Sequence, residues 1–134
     1  MGMPRAEWLR AYFRDISGSL TMAASDGDQT LVTNSRTGFT LYIQRIIVYI
    51  TTDAAQSWVF EDSNSSPKKI AEVTTSPGDE TRWDFDFGTE GVPLTESKNF
   101  VLNASAAGLA GHIEWQGYLK QTSAVSAAVL AAGT

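Results

Sequence analysis

The stretch Phe39–Thr52, FTLYIQRIIVYITT, decides the fold class. It is dominated by Ile, Val, Tyr, Phe and Thr, whose branched or aromatic side chains suit a pleated, half-buried surface better than a helix. Alternate residues of a strand face opposite ways. One face reads Phe39, Leu41, Ile43, Arg45, Ile47, Tyr49; the other reads Thr40, Tyr42, Gln44, Ile46, Val48, Ile50. From Ile46 to Ile50 both faces are apolar. The pattern predicts a strand covered twice, by the second sheet of its own sandwich and by an arm or another subunit. On that reading Tyr42, Ile46, Val48 and Ile50 are the expected oligomer contacts.

Working outward, short β-like runs alternate with turn chemistry. Strands are expected at 20–23, 29–33, 58–61, 69–74, 82–87, 99–104 and 112–120. Turns are expected at Ser25–Asp28, Asn34–Gly38, Asp53–Ala55 and Ser76–Asp79. Residues 88–97 read as a loop, and 106–111 join the last two strands. Arg82–Phe87 sets Trp83, Phe85 and Phe87 against Asp84 and Asp86. About eight strands without interleaved helices predict a single-domain, all-β antiparallel sandwich, with jelly roll the first choice. The sandwich is expected over 19–121.

The two ends read differently. Within 4–16, Trp8, Leu9, Tyr12, Phe13 and Ile16 fall on one helical stripe after Pro4, and Ser17-Gly18 can close a helix. Residues 1–18 are therefore expected to form a short helical or extended arm. It docks either on its own sandwich or, through those five apolar residues, on a neighbouring protein. The Ala-rich residues 122–134 are expected to be a flexible tail.

The chain has 134 residues, a formal net charge of −5 and no cysteine. That length supports one domain with a core. The acidic balance argues against nucleic acid as a partner, since phosphate binding calls for basic stripes. Without cysteine there is neither a disulfide nor a thiolate metal site. The charged start has no apolar core of a secretory signal, and the tail is too short to span a bilayer, so a soluble, cytoplasmically made protein without a membrane partner is expected.

Candidate chemistry is sparse. His112 is a lone histidine, read as a strand-edge side chain. Asp79, Glu80, Asp84, Asp86 and Glu90 cluster in sequence, and two carboxylates can flank a glycosidic bond. Asp84 and Asp86 read more simply as the solvent face opposite three aromatics. Asp26-Gly27-Asp28 lacks the further spaced ligands of a calcium loop and reads as a tight turn. Trp58, Trp83 and Trp115 either form a sugar-stacking platform or, as their apolar neighbours suggest, belong to core or interface. No catalytic residue, cofactor or metal ligand is assigned, and no enzyme is expected.

TLYIQRIIVYITTDAAQ and DFGTEGVPLTESKNFVLNASAAGLAGHIEWQGYLKQ together resemble small jelly-roll virion proteins of tailed bacteriophages, nearest the capsid decoration (cement) proteins. The similarity runs over about residues 30–121, with G-V-P-L-T, A-G-L-A-G and I-E-W-Q-G-Y as its motifs; the two ends lie outside it. The resemblance implies a structural protein on the capsid exterior, bound between major capsid subunits after shell expansion, usually as a trimer. The alternative expectation is a receptor- or glycan-binding head domain of a tail fibre or spike.

Overall fold

The computed structural model describes residues 13–51, 57–75, 82–104 and 109–122. Nine strands follow in order: β1 (Phe13–Met22), β2 (Gln29–Val32), β3 (Phe39–Ile50), β4 (Ser57–Asp62), β5 (Lys69–Thr74), β6 (Arg82–Asp86), β7 (Val92–Pro93), β8 (Phe100–Ala104) and β9 (Gly111–Gln121). One sheet has the order β1-β9-β3-β6, with β7 added to β3; the other has the order β2-β8-β4-β5. Every pairing is antiparallel. Setting aside the two-residue β7, successive strands cross between the sheets except at β4–β5. This order of interleaved Greek keys is that of a jelly roll.

The core lies between the sheets. Leu41, Ile43, Ile46, Val48, Ile113 and Trp115 descend from the first sheet onto Trp58, Phe60, Val73, Phe100 and Leu102 of the second. Phe100 meets Phe60 with ring centroids 6.2 Å apart and Trp115 edge-on at 6.3 Å. Offset and edge-to-face contacts of this kind suit the charge distribution of aromatic rings.

The central strand departs from strict alternation. Ile43 stands opposite Gly117 of β9, but the next pair is Arg45 with Gln116, so Gln44 is an extra residue. This bulge resets the parity of β3. Before it Leu41 and Ile43 point inward; after it Ile46, Val48 and Ile50 do, and all five are buried. The expectation of a second, intermolecular cover over Ile46, Val48 and Ile50 is thereby corrected. The inward row changes sides halfway along the strand, and beyond the bulge Ile47 and Tyr49 remain on the outer face.

The helical stripe is also corrected where it can be seen. Phe13–Met22 is a strand, paired residue for residue with β9 from Phe13↔Lys120 to Met22↔Gly111. Ile16, Leu20 and Met22 face inward, at even spacings. A separation of four residues satisfies both the helical and the strand period, so the stripe ending at Ile16 did not discriminate. The expected arm of 1–18 therefore gives residues 13–18 to the sheet. Trp8, Leu9 and Tyr12, and all of the expected tail beyond Thr122, lie outside the described residues, as do the expected turns at Asp53–Ala55 and Ser76–Asp79.

Candidate interaction surface

Three features set the shape of the outer side of the β1-β9-β3-β6 sheet. The regular alternation of β9 turns His112, Glu114, Gln116, Tyr118 and Lys120 outward. The bulge of β3 turns Arg45, Ile47 and Tyr49 outward beside them. At the sheet edge, β1 offers the short side chains Ser17, Ser19 and Thr21. Because these last are small, a shallow depression of about 450 Å3 opens between Ser17, Ser19, Arg45, Ile47, Glu114 and Gln116. Arg45 and Gln116 also line a neighbouring hollow with Gln44, Asp86, Gly88 and Thr89. The two hollows lie side by side on this face and share Arg45 and Gln116.

Charge on this face is largely neutralised in place. Arg45 donates from Nε to Asp84 Oδ1 at 2.9 Å and from Nη2 to Oδ2 at 2.5 Å, a two-pronged pair. Arg82 Nη2 lies 3.6 Å from the same carboxylate. The hydrogen bond from Arg45, against a weaker opposing effect of desolvation, holds the Asp84 carboxyl below the usual carboxylate range. Arg82 also donates to the Tyr49 hydroxyl at 3.3 Å, with its guanidinium 5.5 Å from that ring's centre. Tyr49 is the most exposed large apolar side chain among the described residues, at 39%. At the other end, Tyr42 and Tyr118 stack face to face with centroids 4.9 Å apart, and the Tyr118 hydroxyl donates to the Glu90 carbonyl at 2.6 Å. Burial, with a smaller effect of Tyr42, raises the Tyr118 phenol above its ordinary range.

The residues proposed from sequence separate cleanly on this frame. Tyr42 belongs to the outer face, whereas Ile46, Val48 and Ile50 belong to the interior. Ile16 is half-buried against the core, and Phe13 takes its place in β1. Trp58 and Trp115 are buried, and Trp83 is half-buried beside Phe85, which leaves no three-tryptophan platform. Asp84 and Asp86 occupy the solvent side of β6 as expected. Asp86 accepts from the Gly88 amide at 2.9 Å and shapes the turn. His112 Nδ1 lies 3.1 Å from the Thr21 hydroxyl and Nε2 lies 3.7 Å from Glu114. Asp26 accepts from the Ala23 amide and Asp28 from the Ala104 amide, each at 2.9 Å, as a turn and a latch to β8. Among the described residues no group of His, Asp and Glu is placed to hold a metal ion. Asp79 and Glu80 lie outside them.

One buried carboxylate escaped the sequence. Asp62 is 1% exposed at the end of β4. Its Oδ1 accepts from the amides of Asn64 and Lys68 at 3.1 and 3.0 Å, and its Oδ2 from the Thr95 amide at 2.8 Å and the Thr95 hydroxyl. Desolvation pushes this carboxyl up, but the hydrogen bonds from Thr95, Lys68 and Asn64 together outweigh it and set it below the ordinary range. With both oxygens occupied it is a clasp joining the 63–68 loop to the G-V-P-L-T segment, and it has no lone pair placed for chemistry. A hint lay in Asp62-Ser63-Asn64, but the partner Thr95 is remote in sequence.

No family model and no curated protein matches the chain. Among solved structures, the fold aligns with a chain of the giant freshwater prawn Macrobrachium rosenbergii extra small virus (XSV) virus-like particle. The alignment covers 80% of this chain and 79% of that one, at a TM-score of 0.42 and 10% identity. It also aligns with a chain of the Bacillus endospore appendages, a family of disulfide-linked pili, over 83% of this chain and 88% of that one, at a TM-score of 0.38 and 10% identity. Likenesses this distant carry nothing about function.

Proposed function

We propose that this chain is a non-enzymatic virion structural protein that decorates and stabilises a bacteriophage capsid, bound on its exterior between major capsid subunits as a homo-oligomer. The reading rests on the resemblance to decoration proteins. The observation that supports it is that two of the resembling motifs lie in the framework of the jelly roll. G-V-P-L-T supplies β7 and closes the Asp62 clasp through Thr95. I-E-W-Q-G-Y supplies the middle of β9, the strand joining β1 to β3. Among the described carboxylates, Asp86 shapes a turn, Asp28 latches to β8 and Asp84 is ion-paired with Arg45, which supports a structural reading.

Attachment is assigned to the segment that precedes β1. Trp8 and Tyr12 would each bury about 150–250 Å2 if fully covered. Several such arms on one oligomer would raise apparent affinity through effective concentration. Since β1 begins at Phe13, the truncation that tests this must stop at residue 12. The shortened chain is expected to fold and to lose cosedimentation with expanded shells of the virus that encodes it. Undiminished cosedimentation would refute the arm's role.

One observation favours a second reading, a glycan-binding head. The two hollows combine side-chain amides, hydroxyls and the carboxylates of Glu114 and Asp86, a mixture that suits a hydroxyl-rich ligand. Titration with host-surface polysaccharide, followed by tyrosine and tryptophan fluorescence, separates the two readings.

A further inference from the structure

β1 is an edge strand of 10 residues, and on its outer side no described strand pairs with it. Its register with β9 runs unbroken, so no bulge twists this edge away. Its middle contains no proline and no lysine, the residues that commonly blunt an edge against a second chain. An edge of this length and regularity is a template for another strand.

The sequence of that edge is nearly the same in both directions. About Gly18, the order is Asp15, Ile16, Ser17, Gly18, Ser19, Leu20, Thr21. Antiparallel pairing with an identical strand, centred on Gly18, sets Ser17 opposite Ser19, Ile16 opposite Leu20 and Asp15 opposite Thr21. The two serines fall on the outer face. Ile16 and Leu20, half-buried at the rim of the core, fall on the inner face and would complete each other's cover. A shift of one residue would put Ile16 opposite a serine and turn apolar side chains toward polar ones.

The axis position has its own signature. Gly18 leaves room for the indole of Trp115 beneath the edge strand: a Cβ there would meet Cζ2 at 2.5 Å and Nε1 at 3.1 Å. That Nε1 is buried and has no hydrogen-bond acceptor within the described chain. An unpaired buried N–H is unusual, and this one lies beneath Gly18, the residue at the centre of the edge's near-palindrome.

We infer that two copies of this chain associate through β1, edge to edge and antiparallel about Gly18, joining their β1-β9-β3-β6 sheets into one continuous sheet. The contact is isologous, each copy presenting the same patch. It assigns a two-fold oligomer in place of the trimer that the resemblance implies, and it holds for either reading of the function.

The chain has no cysteine, so introduced thiols report on this seam alone. Ser17→Cys and Ser19→Cys both lie on the solvent face and leave the core untouched. In the inferred register Ser17 of one copy faces Ser19 of the other at disulfide range, whereas like residues are roughly 8 Å apart, beyond reach. Mixing the two full-length variants under mild oxidation is expected to give a cross-linked dimer, several-fold more than either variant alone. The unmodified chain is expected to sediment at twice its 14.5 kDa mass. Sedimentation as a monomer at every concentration, or cross-linking of single variants as efficient as that of the mixture, would overturn the inference.

Discussion

Gly117 of β9 lies so close to the backbone of Tyr42 in β3 that a Cβ at position 117 would collide with the Tyr42 carbonyl oxygen. The approach occurs beside the bulge, where Ile43 is the residue opposite Gly117 and Gln44 is extruded. The glycine and the bulge are thus one device that lets the longest strand pair change its step. Gly117→Ala is expected to destabilise the domain by about 3 kcal/mol, since the obstructing atom is backbone and cannot rotate away. Chemical denaturation of the two proteins, compared at constant m-value, checks this.

The parity change makes adjacent residues unequal. Ile46 is fully buried and Ile47 sits on the outer face between Arg45 and Tyr49. Ile46→Ala is expected to cost about 3–4 kcal/mol, within the range for deep core truncations, and Ile47→Ala under about 1.5 kcal/mol. If Ile46 were instead an intermolecular contact, its substitution would change the association constant and leave monomer stability intact. Denaturation and sedimentation on the same variants distinguish these outcomes.

Asp62→Ala would strip acceptors from the amides of Asn64, Lys68 and Thr95 at once. A loss of about 2–4 kcal/mol is expected. The wild-type clasp also makes stability depend on pH. The folded carboxyl lies below its unfolded value, so its stabilisation is present in full above the unfolded value and is lost as pH falls through the folded one. Thermal midpoints should drop more steeply on acidification in the wild type than in Asp62→Ala, where that slope is absent.

Much of this architecture was readable in the chain, and the exceptions have physical causes. Lys69–Thr74 forms the strand expected at those residues, and β6 shows its aromatic and acidic faces as written. The bulge is hidden from the sequence because strict two-residue alternation runs straight through Gln44-Arg45. The inward residues Leu41, Ile43, Ile46, Val48 and Ile50 contain one step of three, which is how an extra residue shows in a pattern. β1 was concealed by spacings of four, common to both periods. β7 is too short to have a period at all. The Asp62–Thr95 clasp joins residues 33 apart, and only the jelly-roll crossing brings them together.

A cryo-electron density map of the mature particle tests the central claim most directly. The proposed function predicts density matching the two-sheet sandwich on the outside of the shell, between major capsid subunits, with the strand β1 end toward the shell surface. Density for the domain only at a tail fibre or spike, or none anywhere on the particle, would contradict it.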